Sequence, residues 1–83
     1  ARNCETPDQV RALTDEIREI SGRANTFILI DQEGGRVARL KPPHWRAAPP
    51  ADCFVDLACG DQKMAEQATY LNARLIGAEL QDV

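Results

Sequence analysis

Phe27-Ile28-Leu29-Ile30-Asp31-Gln32-Glu33-Gly34-Gly35-Arg36-Val37-Ala38-Arg39-Leu40 is the stretch that decides how this chain folds. Four large apolar residues run without a polar break and stop at a carboxylate. A short apolar run without alternation predicts a strand buried on both faces, the usual state of a parallel strand under helices. A buried helix segment has the same pattern, but this run is short and turn residues follow at once. Asp31 then falls at the carboxyl end of the strand, the edge where α/β sheets and (β/α)8 barrels carry their sites.

Outward from this stretch, two helices stand out. Thr6-Pro7-Asp8-Gln9 is a helix start: Thr6 caps, Pro7 fits the first helical position and Gln9 completes a capping box. Val10, Leu13, Ile17 and Ile20 follow at steps of three and four, and Gly22 is a stop, so a helix is predicted over 7–21. Met64, Ala68, Leu71, Leu75 and Ala78 repeat with the same period, predicting a second helix over 62–81 whose Met64/Leu71/Leu75 stripe is core. Asp52 starts a short helical segment through Leu57. Between Asp31 and Asp52 the chain is irregular, with Gly34-Gly35, Pro42-Pro43 and Pro49-Pro50, and Arg36–Leu40 fits either an extended strand or one helical turn.

The totals set bounds on function. Eighty-three residues make at most one small domain, which buries only about 60–65% of its unfolded surface. The net charge of −3 argues against nucleic acid as a partner, since phosphate binding needs a basic excess. No apolar run reaches the roughly 18 residues of a membrane helix. Cys4, Cys53 and Cys59 are odd in number and lack Cys-x-x-Cys spacing, so a disulfide framework or zinc site is not expected and a reducing compartment, the cytoplasm, is. One good strand between two helices leaves two unpaired edges, which implies a piece of a larger α/β domain, incomplete at both ends.

The chemistry concentrates in the central stretch. Asp31 can accept two hydrogen bonds from a sugar diol; its bland alternative is a loop brace paired with Arg36. Glu33 is a candidate second carboxylate of a glycosidase pair, which needs about 5–9.5 Å of separation, or else an exposed turn residue. Gly34-Gly35 permits positive φ and close backbone approach, but neither phosphate-loop spacing is present. Arg36 and Arg39 share a face if helical and oppose each other if extended; either can offer its planar fork to hydroxyls or an acetamido oxygen. His44 beside Trp45 is a candidate acid/base and sugar platform, with a structural role the commoner outcome. Arg2 and Asn3 are pocket-rim candidates at the top of a preceding strand.

Asp31-Gln32-Glu33-Gly34-Gly35-Arg36-Val37-Ala38-Arg39-Leu40 resembles the Asp-Gln-Glu-Gly-Gly-Arg-Val-x-Arg motif of bacterial β-N-acetylhexosaminidases of glycoside hydrolase family 3. Ala1-Arg2-Asn3-Cys4, Gln9–Leu13, Lys41–Trp45 and Asn72–Leu80 extend the resemblance over essentially the whole chain. It implies that residues 1–83 are a partial N-terminal catalytic barrel domain: α/β, a fragment of a (β/α)8 TIM barrel of about 250 residues with one clear buried strand and two main amphipathic helices. It also implies a cytoplasmic, retaining enzyme that needs no cofactor or metal. Such an enzyme removes terminal N-acetylglucosamine from muropeptides in peptidoglycan recycling. Carried over by motif position, Asp31 and Arg39 bind the substrate. The nucleophilic aspartate and the acid/base histidine fall beyond Val83, so no catalytic residue is expected within the chain, and the chain alone is expected to be inactive. His44 and Glu33 do not match the family's catalytic motifs. Two alternatives are another family 3 glycosidase such as a β-glucosidase, and a small non-catalytic helical binding module, which leaves Phe27–Ile30 and the decapeptide unexplained.

Overall fold

Residues 3–83 are described by the computed structural model, in the order α1 (Pro7–Ser21), β1 (Gln32–Gly34), β2 (Val37–Ala38), α2 (Asp52–Gly60) and α3 (Gln62–Gln81). Helix α1 has the predicted bounds. The Gln9 backbone N–H donates to Thr6 Oγ1 at 3.1 Å, Pro7 occupies the first turn, and Gly22 closes the helix in the left-handed region at φ 71°. The reciprocal half of the capping box is displaced: Gln9 Oε1 accepts from the N–H of Glu5, one residue before the cap, at 2.9 Å.

Helices α2 and α3 form a hairpin hinged on one residue. Asp61 donates its N–H to the Leu57 carbonyl at 2.9 Å, ending α2, and its carboxylate accepts from the Met64 N–H at 3.1 Å, starting α3. One aspartate thus satisfies orphan groups of two helices. Helix α2 runs three residues beyond the predicted Leu57, to Gly60.

The buried strand expected at Phe27–Ile30 is not formed within the described residues. These residues form no regular strand, and among the described residues no backbone hydrogen bond reaches 27–31. Exposure alternates instead: Ile28 and Ile30 are half-buried, whereas Phe27 is 93% and Leu29 90% exposed. The segment is buried on one side only. The physical reason is that the described residues supply neither a neighbouring strand nor a layer over the outer side. The stripes of the two long helices need the same correction, since Ile20, Met64, Leu71 and Leu75 are exposed. Helix α3 buries Ala65 and half-buries Ala68, Asn72, Ile76 and Leu80.

The core is correspondingly small. Val10 of α1, Leu40 after β2 and Trp45 form its centre, with Cys4, Ile30, Leu80 and Val83 packed around it. Leu40 is 1% exposed, and its burial contributes about 1.5–3 kcal/mol. Thr14, the buried polar residue of α1, donates its hydroxyl proton to the Val83 carbonyl at 2.8 Å, which fastens α1 to the chain beyond α3. The radius of gyration, 15.2 Å, exceeds the about 12 Å expected of a compact domain of this length.

Candidate functional site

Arg36–Leu40, which fitted two conformations in sequence, is not a helical turn: Arg36 belongs to the turn and Val37–Ala38 form β2. Gln32 pairs antiparallel with Ala38 and Gly34 with Val37, with a bulge between the two pairs. Gly34 and Gly35 make the turn at φ 105° and 58°, a region that side chains rarely occupy. The pair does approach another backbone closely, but that backbone belongs to the proline loop. A Cβ on Gly34 would lie 2.2 Å from the Pro49 carbonyl oxygen, and one on Gly35 would lie 2.7 Å from Pro50 Cβ. The Gly35 N–H donates to the Ala48 carbonyl at 2.9 Å. The glycines therefore let the turn sit down on residues 48–50.

The loop under the turn is itself anchored. Trp45 is 7% exposed and belongs to the core. The Arg46 N–H donates to Glu79 Oε1 at 3.0 Å, and Arg46 Nη2 donates to Asn72 Oδ1 at 2.9 Å, so the loop is tied to α3. Pro42-Pro43 is a cis peptide.

Asp31 and Arg39, the two predicted substrate-binding residues, come together. Continuing the Gln32–Ala38 register by one residue places Asp31 opposite Arg39, and Arg39 Nη2 lies 3.4 Å from Asp31 Oδ2. Arg39, and not Arg36, is thus the partner of Asp31. The pair is open to water, with side-chain exposures of 71% for Asp31 and 43% for Arg39, so it contributes only about 0–1 kcal/mol to stability. Arg39 also lines a groove of about 520 Å³ between α1, residues 28–30 and the end of α3, whose walls include Leu13, Ile17, Ile28 and Ile30. A carboxylate and a guanidinium side by side offer acceptors and forked donors to one polyhydroxylated ligand next to an apolar wall.

The other candidates fall elsewhere. Glu33 is exposed and makes no ion pair among the described residues; neither does Arg36, which is exposed beside the turn. His44 is exposed and meets Trp45 edge-on, with centroids 6.0 Å apart, and burial of Trp45 removes it as an open sugar platform. Asn3 borders the groove, whereas Arg2 lies outside the described residues. Cys4, Cys53 and Cys59 are free thiols. Among the described residues no helix is long and apolar enough to cross a membrane.

Sequence reasoning missed Gln32. Its Oε1 accepts from the N–H groups of Arg39 at 2.9 Å and Leu40 at 3.0 Å, and its Nε2 donates to the Leu40 carbonyl at 2.9 Å. A glutamine between two acidic residues gives no periodicity signal. The hairpin register would have pointed to it.

Comparison with known proteins bears on this arrangement. A β-hexosaminidase of Methylococcus capsulatus is 37% identical over the whole of this chain, which spans 23% of the relative. One of Methylobacillus flagellatus is 36% identical over 96% of the chain and 22% of the relative. One of Alkalilimnicola ehrlichii is 44% identical over 60% of the chain and 14% of the relative. The three support a relationship to the β-hexosaminidases. The chain spans less than a quarter of the length of each of these curated relatives. No family model matches it. No solved structure matches it.

Proposed function

We propose that this chain is part of the catalytic domain of a glycoside hydrolase, a retaining β-N-acetylhexosaminidase of family 3, in which Asp31 and Arg39 bind the sugar. The observation that carries the proposal is the pairing of Asp31 with Arg39, 3.4 Å apart and exposed at one end of the hairpin. Three relatives named β-hexosaminidase support the enzyme class. Asp31 would accept hydrogen bonds from ring hydroxyls, and Arg39 would donate to hydroxyl or acetamido oxygens. Each charged hydrogen bond is worth about 1.5–3 kcal/mol.

The substrate class we assign is the terminal non-reducing N-acetylglucosamine of muropeptides, and the cellular role is cytoplasmic peptidoglycan recycling. The fold we assign is a (β/α)8 barrel, with Phe27–Ile30 as one of its strands. Supporting it are the two-residue periodicity of burial from Thr26 to Gly34 and the apolar side chains Phe27 and Leu29 on the uncovered side. The nucleophile and the acid/base belong to the remainder of the protein.

The test is hydrolysis of p-nitrophenyl N-acetyl-β-glucosaminide by the full-length protein, side by side with the 83-residue chain and with the corresponding glucoside. Turnover of the N-acetylglucosaminide by the full-length protein alone is expected. Preference for the glucoside would assign a β-glucosidase, and turnover by the 83 residues would mean that they carry the catalytic groups.

A further inference from the structure

We propose that Gln32 is a positioning residue that holds Arg39 opposite Asp31, an inference resting on the sugar-binding reading above. The ladder of β1 and β2 stops at the Gln32–Ala38 pair, although the register would carry it on to Asp31–Arg39 and Ile30–Leu40. Beyond that point the side-chain amide of Gln32 takes the place of a strand backbone. Its oxygen accepts from two successive N–H groups, Arg39 and Leu40, and its nitrogen donates to the Leu40 carbonyl, all at 2.9–3.0 Å. A primary amide offers a two-lone-pair acceptor and a donor in one plane, so it serves all three groups at once.

Two consequences follow from this geometry. The backbone of Arg39 is fixed at its own nitrogen, so the guanidinium is delivered from a rigid point and pairs with Asp31 on the neighbouring strand position. Leu40, bonded on both its N–H and its carbonyl, is locked into the core beside Val10 and Trp45. Gln32 itself is half-buried and faces away from the side on which Asp31 is exposed, which suits a support and not a ligand contact. Bulge and turn sit on the other side of Gln32, so no backbone pairing there can substitute for it.

The test uses the full-length protein and two readouts. Amide hydrogen exchange of Arg39 and Leu40 is followed by NMR in the wild type and in Gln32→Ala. At least tenfold faster exchange at both amides in the variant is expected; unchanged exchange overturns the positioning role, whatever the enzyme acts on. The second readout is a cycle of Gln32→Ala, Arg39→Ala and the double variant on p-nitrophenyl N-acetyl-β-glucosaminide. If Gln32 acts through Arg39, Gln32→Ala lowers kcat/KM at least tenfold, mainly through KM, and adds nothing in the Arg39→Ala background. Multiplying losses in the double variant would mean a general structural role and overturn the proposal. A wild-type protein that leaves this substrate untouched would sink the sugar-binding reading alone, and the exchange rates would still decide whether Gln32 holds Arg39.

Discussion

Asp31 Oδ2 and Arg39 Nη2 stand 3.4 Å apart, eight residues distant in sequence and opposite each other at the open end of a glycine hairpin. An ion pair this exposed contributes little to folding. Its two members are therefore free to be judged by what they do for a ligand.

In the full-length protein, Asp31→Ala should lower kcat/KM for an N-acetyl-β-glucosaminide by about a hundredfold, the equivalent of about 2–3 kcal/mol for a lost charged contact. Arg39→Ala should act likewise. Urea unfolding of the same variants should shift by less than about 1 kcal/mol. A loss of stability without a loss of kcat/KM would remove both residues from the binding site.

His44→Ala should leave kcat within about twofold of the wild type, since His44 is exposed and lies edge-on to Trp45. Abolished turnover would make His44 a participant in the chemistry. Trp45→Ala, by contrast, opens the core next to Leu40 and should cost about 3–5 kcal/mol, read as a lowered urea midpoint.

Gly34→Ala and Gly77→Ala should have opposite signs. At Gly34 a methyl group would meet the Pro49 carbonyl oxygen at 2.2 Å with φ at 105°, so unfolding should become easier by about 2–4 kcal/mol. At Gly77, inside α3, a methyl group meets nothing within 4 Å among the described residues and should stabilise by about 0.5–1 kcal/mol. Thermal melts of the full-length protein followed by circular dichroism compare the two directly, and equal shifts would mean that the turn does not rest on the proline loop.

Loss of the Thr6 cap should cost about 1 kcal/mol, seen as reduced helicity in Thr6→Ala and recovered in Thr6→Ser. Unchanged helicity would mean that packing of Val10, and not the cap, starts α1.

Local signals were the legible ones. Thr6, Pro7 and Gly22 fixed α1 to the residue, and the 3.6 period fixed α3, because caps and periodicity act through neighbours in sequence. The end of α2 was set at Leu57, three residues short of Gly60. Burial was the illegible part. The apolar character of Phe27, Leu29, Met64 and Leu75 was read as interior, yet burial depends on what other elements lie above a residue, and none of the described ones covers these. The Asp31–Arg39 pair was half legible: both residues were singled out, but their meeting required a hairpin register that two glycines alone do not specify.

The Phe27–Asp31 segment alternates in burial, is apolar on its outer side and is bare of backbone partners among the described residues. Such an edge is a template for another strand, and every molecule in solution carries one. For the 83 residues handled on their own, the quantity that governs shelf life is then encounter frequency. Dilution, or a lysine introduced at position 29, would preserve the monomer where added folding stability would not.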